Sequence, residues 1–230
     1  MEKRVSYKTI LNSMLYGAIT LIIYGCQSPV EHTKVKDNED EIIYDSTDIT
    51  VGNQIWMSRN VETVVFRNGD TIYQAKNMSE WLQAGMEKKP AWCTYNFDSI
   101  NGSIYGNLYN YYAVIDSRGL APRGYHVPTD KEWTELCQYI GGDSQAGRKL
   151  KGMPLGGENM IGFNALPGGA IYIDSFKYIE ESGIWWTSSE NIPHTSWTRI
   201  IEKNSSKLYR MFAEQFCGFS VRCLRNKQKT

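Results

Sequence analysis

The sequence predicts an α+β domain with a mixed or antiparallel sheet, and three observations carry that expectation. Helical signals gather in the first part of the chain, a strongly capped amphipathic helix starts at Thr129, and the second half breaks into short apolar segments punctuated by Gly. A doubly wound fold would alternate strand and helix throughout. This chain does not.

The elements follow in order. Lys3, Arg4 and Lys8 precede a largely apolar, uncharged stretch from residue 9 to 25, which Cys26 closes after Ile23, Tyr24 and Gly25. An aliphatic residue three before the Cys and a small residue just before it are what the lipoprotein signal peptidase requires, so residues 1 to 25 read as a signal peptide and Cys26 as the lipidated residue. The alternative is a retained anchor. Seventeen helical residues reach roughly 26 Å against a hydrocarbon core of about 30 Å, and Asn12, Ser13 and two Gly weaken the stretch further. Two or three acyl chains, at about 0.8 kcal/mol per buried methylene, hold a protein on a membrane without any spanning segment.

Residues 26 to 41 are polar and charged, with Pro29 and the run from Asp37 to Glu41, and read as a lipid-anchored tether. The ordered domain is expected over residues 42 to 226, with a short tail at 227 to 230. Strands are expected at 49 to 51, 54 to 57 and 61 to 66, with turns at Gly52-Asn53 and Asn68-Gly69. Asn77, with Glu80 three residues on, caps a helix that carries Trp81, Leu82 and Met86. Thr129 and Glu132 form a capping box, and Trp133, Leu136, Cys137 and Ile140 then fall at i, i+3, i+4 and i+7 before Gly141-Gly142 stops the helix. A shorter helix over 144 to 150 follows. Strands are then expected at 163 to 166, 170 to 173, 184 to 188, 197 to 201, 208 to 211 and 219 to 224.

Composition narrows the function classes. Lys plus Arg and Asp plus Glu each number 25, and removing the signal segment leaves the balance near zero, so there is no electrostatic footprint for nucleic acid and none is expected as a partner. His32, His126 and His194 lack a second His or Cys at zinc-ligand spacing, and no metal or other cofactor is expected beyond the covalent lipid on Cys26. His126 reads as a structural hydrogen-bonder. No Gly-x-Ser-x-Gly elbow, phosphate loop or dinucleotide fingerprint occurs, so the chain reads as non-enzymatic. Carboxylate pairs for glycoside hydrolysis stay open, because the two groups need not be near in sequence.

Of the seven Trp, Trp56, Trp133, Trp185 and Trp186 are assigned to the core. Tyr109, Tyr111, Tyr112, Trp197 and Tyr209 are better candidates for exposure on a binding surface than the other aromatics, with packing the favoured reading even for these. Glu190 and Asn191, in a run of oxygen-bearing side chains after Trp185-Trp186, are further candidates, to be weighed against a solvated loop.

Six strings carry a resemblance: VGNQIWMSRN (51 to 60), YGNLYNYYAV (105 to 114), GYHVPTDKEWTEL (124 to 136), FNALPGG (163 to 169), WWTSSE (185 to 190) and GFSVRCLR (218 to 225). In order and spacing they resemble the Fibrobacter succinogenes major paralogous domain, over roughly residues 42 to 226. The VPTDKEW and GFSVRC segments are also similar to formylglycine-generating-enzyme-type domains. The resemblance implies a C-type-lectin-like fold, two helices with mixed or antiparallel sheets and long loops. It also implies a secreted or surface-attached protein with no established enzymatic activity.

A Cys on an early helix bonding one on the final strand is a feature of C-type-lectin-like folds, and Cys137 and Cys223 match those places. The resemblance therefore implies a disulfide between them, worth about 4 to 5 kcal/mol in the chain-entropy model, with Cys93 and Cys217 left over. The chain departs from the family pattern at Ala121, where a Cys is common before Pro122, and at Tyr125, where Trp is common. The catalytic Cys pair of formylglycine-generating enzymes matches Cys217 and Cys223 poorly. The expectation is a lipid-anchored cell-envelope protein, in the outer membrane because Gln27 and not Asp follows Cys26. Its domain would bind an extracellular glycan or a protein through the loops of residues 175 to 208. The rivals are an envelope hydrolase or modifying enzyme with an unrecognised site, and a structural component of a surface assembly.

Overall fold

The computed structural model describes residues 32 to 37 and 40 to 227, with side chains from Asp45 onward. Cys26 lies outside the described residues. In the segment read as tether and just after it, β1 (His32–Asp37) and β2 (Asp40–Asp45) pair antiparallel as a two-stranded sheet. The domain then runs β3 (Ile49–Val51), β4 (Gln54–Trp56), β5 (Tyr73–Gln74), α1 (Met78–Met86), β6 (Ala91–Cys93), α2 (Ser99–Tyr105), β7 (Leu108–Asn110), α3 (Tyr111–Val114), β8 (Tyr125–His126), α4 (Asp130–Tyr139) and α5 (Asp143–Leu150). The second half holds β9 (Gly168–Ile171), β10 (Phe176–Ile179), β11 (Ser182–Ile192), β12 (Thr195–Glu202), β13 (Leu208–Glu214), β14 (Gly218–Phe219) and β15 (Leu224–Arg225).

This is an α+β chain with few helices and mixed sheets. The large sheet runs β13-β12-β11-β9-β14-β7-β6-β5, with β10 beside β9, and is antiparallel except at the β11/β9 and β5/β6 pairs. A second sheet, β3-β4-β15-β8, brings the start and end of the domain together through Leu224 opposite Trp56. No helix among the described residues is long and apolar enough to cross a membrane.

Local chemistry explains most elements. Asn77 Oδ1 accepts the Glu80 N–H at the start of α1, and at α4 Thr129 and Glu132 form the expected reciprocal capping box. Trp133, Leu136, Cys137 and Ile140 are all buried, so the α4 stripe lies against the sheets. His126 bridges Asn226 through Nδ1 (2.7 Å) and Glu132 through Nε2 (3.0 Å). The Glu132 hydrogen bond raises the His126 pKa. Burial opposes ionisation of Glu132, yet its bonds to His126 and Thr129 hold that carboxyl at about 2.

The structure corrects several expectations. Two short helices, α2 and α3, join the expected ones; at seven and four residues they are too short to show an apolar period. Residues 61 to 66 form no regular strand, and only Val65 bridges Thr71. Residues 163 to 166 contribute only the Ala165 bridge to Lys151. The expected strand over 219 to 224 is divided, because β14 belongs to the large sheet and β15 to the small one, with Ser220 bridging Trp185 between them.

The disulfide is also corrected. Cys93, Cys137, Cys217 and Cys223 are all free and buried. Cys137 sits in the cluster under α4, where its Sγ donates to Asp143 Oδ1 at 2.8 Å, whereas Cys223 belongs to the cluster around Tyr109 and Trp186. Two thiols in separate cores are not bridged without moving backbone. Burial pushes all four thiols up, to about 12 for Cys137, Cys217 and Cys223, which removes the reactive thiolate. Labelling with a thiol-specific reagent is therefore expected to miss these four cysteines in the native domain and to modify all four in denaturant. Two protected thiols in the denatured, unreduced protein would restore the bridge.

Candidate functional site

A cleft of about 430 Å³ opens where β10, β11 and β12 meet, lined by Tyr172, Tyr178, Glu181, Ser182, Ile184, Ile200, Glu202, Lys203 and Asn204. That volume lies in the range of small-ligand sites. Its floor follows from strand alternation. Ser182 pairs with Glu202 and Ile184 with Ile200 across the β11/β12 ladder, so four side chains of one face line the same cleft.

The wall is aromatic. Tyr172 and Tyr178 meet edge to face, with centroids 5.9 Å apart at 88°, and Tyr172 is set against the core by a second T-shaped contact with Phe219 at 5.6 Å. Burial pushes the Tyr172 hydroxyl up to about 12, so it stays a neutral donor at physiological pH. Tyr178 is half exposed and offers its ring to solvent.

The backbone that presents Tyr178 is under strain. Tyr178 and Glu180 hold φ of 67° and 62°, in the left-handed region that side chains avoid. β10 is held there by Gly169 of β9, at φ 63°, where an added Cβ would lie 2.6 Å from the Lys177 carbonyl. The opposite lip is fixed by hydrogen bonds. Lys203 N–H donates to the Glu181 carbonyl at 2.8 Å, and the buried Lys151 Nζ donates to the Lys203 carbonyl at 2.6 Å. Burial lowers the Lys151 pKa.

The polar groups of the cleft are free to act on a ligand. Ser182 is only 8% exposed, and its hydroxyl has no hydrogen-bond partner among the described residues. Neither Glu181 nor Glu202 is held in a salt bridge among the described residues. Together with the Asn204 amide, these groups supply one hydroxyl, two carboxylates and one amide around a pair of rings. Such a set places hydrogen-bonding groups beside an apolar surface. No group of three or more His, Cys, Asp or Glu suited to a metal occurs among the described residues.

The residues singled out from sequence are distributed differently. Tyr109 and Tyr111 are buried and belong to the core: the Tyr109 hydroxyl donates to the Thr63 carbonyl at 2.7 Å and that of Tyr111 to the Ser188 carbonyl at 3.0 Å. Tyr112 is half-buried. Trp197 lies half-buried beneath Arg210, whose guanidinium carbon is 3.3 Å from the ring centroid. The Tyr209 hydroxyl is paired with Ser205 Oγ at 2.9 Å. Glu190 accepts from Gln215 Nε2 at 3.1 Å, and Asn191 donates to Thr195 Oγ1 at 3.5 Å. None of these lines the cleft.

The cleft residues other than Tyr172 fall inside residues 175 to 208, but sequence reasoning named none of them individually. The signal available was the pair of polar turns, Glu180-Glu181-Ser182 and Glu202-Lys203-Asn204, on adjacent strands that pair in register.

Comparison with known proteins adds the family and no closer relative. No curated protein and no solved structure matches the chain. Residues 49–225 match the sequence model of the Fibrobacter succinogenes major domain. That span takes in both sheets from β3 to β15, the cleft and all four buried cysteines, and the chain belongs to the Fibrobacter succinogenes major domain family.

Proposed function

We propose that this protein is a non-enzymatic binding module, held at the outer membrane by lipid on Cys26, that takes a ring of an extracellular glycan in the Tyr172/Tyr178 cleft. The observation that carries the reading is the strained tyrosine wall, with Tyr178 exposed, beside the Ser182 hydroxyl, which has no hydrogen-bond partner among the described residues. A sugar ring offers an apolar face to an aromatic side chain and hydroxyls to the carboxylates, amide and serine beside it. A C-type-lectin-like architecture belongs to the same proposal; the pairing of β15 with β4, which joins the domain's two ends, supports it. The protein then displays a preformed cleft at the cell surface, and binding needs no chemistry.

A glycan array followed by calorimetry tests the reading. Tyr178→Ala is expected to weaken binding by about two- to tenfold, as loss of about 0.5 to 1.5 kcal/mol of aromatic contact implies, and Ser182→Ala to weaken it by a similar amount. A blank array with the native protein, or binding untouched by both substitutions, overturns it. The presence of Glu181 and Glu202 in one cleft favours a second reading, an envelope glycoside hydrolase. Release of shorter sugars, abolished in Glu181→Gln or Glu202→Gln, selects that reading.

A further inference from the structure

β13 ends the large sheet, and no other strand among the described residues pairs with its outer edge. An open strand edge is a template for another strand, and natural proteins usually blunt one with Pro, a bulge or inward charge. β13 has no Pro, pairs with β12 over seven residues without a register shift, and exposes Arg210, Met211 and Phe212 in succession. Helix α5 packs at the start of β13, where Arg148 N–H donates to the Ser206 carbonyl at 3.1 Å, and no strand among the described residues covers the edge from Arg210 to Glu214.

The backbone direction is fixed by one bond beyond the strand. Gln215 N–H donates to the His194 carbonyl at 3.0 Å, on the register that pairs Thr195 with Glu214. In an antiparallel ladder, bonded and non-bonded pairs alternate, so the odd residues of β13 bond β12 and Arg210, Phe212 and Glu214 turn their N–H and C=O groups outward. These three residues also share a side-chain face.

We propose that this edge pairs with the same edge of a second copy of the chain, antiparallel about a twofold axis at Phe212. That register is self-complementary. It sets Phe212 opposite its own counterpart and Arg210 opposite Glu214 twice over, and each of those pairs falls on outward-facing backbone. Charge agrees with it. Asp130 accepts both Arg199 (2.7 Å) and Arg210 (2.9 Å), two cations on one carboxylate, which leaves this group of three, Arg210 included, with one net positive charge. Glu214 is exposed and has no ion pair among the described residues. Side-chain packing agrees as well, since Trp197 lies edge to face with Phe212 at 6.2 Å, so the axis creates a row of four rings, Trp197 and Phe212 from each copy. Met211 faces Ala213 of the other copy on the opposite side of the sheet. The pairing makes one continuous sheet with two clefts, which raises avidity for any repeating ligand.

Sedimentation of the full chain in detergent, over a wide concentration series, tests this. The native protein is expected to dimerise. Phe212→Pro removes an outward N–H without touching the β12 ladder, and Glu214→Arg sets like charges against Arg210. Each is expected to abolish the dimer while far-ultraviolet dichroism and cooperative unfolding show the domain still folded, and the exchange Arg210→Glu with Glu214→Arg to recover it. A native protein that stays monomeric throughout, a dimer that survives Phe212→Pro, or a folded exchange variant that stays monomeric overturns the proposal. If the exchange variant does not fold, Phe212→Pro and Glu214→Arg decide alone. Glycan binding by a monomer would leave the cleft reading intact, so the two proposals fail separately.

Discussion

Asn60→Ala is expected to destabilise the domain by about 3 kcal/mol or more, far beyond the typical single substitution. Asn60 Oδ1 accepts three bonds at one buried point: from Trp185 Nε1 at 2.8 Å, and from Arg222 Nε and Nη2 at 3.1 and 2.8 Å. Its Nδ2 donates to the Tyr105 carbonyl at 2.8 Å. Arg222 is fully buried with no carboxylate partner among the described residues. Its remaining bonds run from Nη1 to the Met57 and Phe163 carbonyls, and its plane lies 4.4 Å from the Phe163 ring centroid. Burial lowers its pKa, yet a guanidinium stays charged at neutral pH. Truncating Asn60 strands part of that cation and an indole N–H in a dry core.

Arg222→Met should cost less, because it removes the demand for acceptors together with the charge, and a similar apolar chain fills the space. The double variant should then be more stable than Asn60→Ala alone. Urea unfolding of the four proteins measures the coupling. Additive losses would mean that Asn60 acts only through its own backbone contacts.

How much of this was legible in the sequence depends on the range of each signal. The α4 capping box and its apolar stripe are written within twelve residues, and they fold as the pattern dictates. The four Trp assigned to the core are all fully buried. Strands of two or three residues, such as β5, β6 and β7, are too short to display alternation, and the division of residues 218 to 225 between two sheets has no local signature at all.

The site was less legible than the fold for a related reason. Tyr109 and Tyr111, in a Tyr-rich string, could serve either surface or core, and their hydroxyls find backbone carbonyls 46 and 77 residues away, which makes polar rings part of the core. Tyr172, Ser182 and Glu202 become neighbours only through the β11/β12 register and the strained β10 turn. The two polar turns mark Ser182 and Glu202 separately, but the register that joins them is not written in either turn. The Asn60–Arg222 knot shows the same logic from the other side: residues from four of the strings that carried the resemblance, Asn60, Phe163, Trp185 and Arg222, meet at one point, so at these positions the strings record packing.

The second large effect concerns that packing and separates two tryptophans that the sequence treats alike. Trp133→Ala is expected to cost about 3 to 5 kcal/mol, because the ring sits at the centre of an aromatic cluster, with centroids 4.8 Å from Trp56, 5.8 Å from Phe163 and 6.2 Å from Trp185. Yet Trp133 Nε1 is buried with no hydrogen-bond partner among the described residues, whereas Trp185 Nε1 donates to Asn60. Phe at position 133 removes an N–H that earned no bond, and the gain in desolvation offsets part of the cavity it leaves. Phe at position 185 removes a made bond and leaves the same kind of cavity. Urea midpoints should therefore rank Trp133→Phe clearly above Trp185→Phe, although both rings are fully buried and similar in their aromatic neighbours. Equal losses would show that ring volume alone governs this core and that the Asn60 knot adds nothing to it.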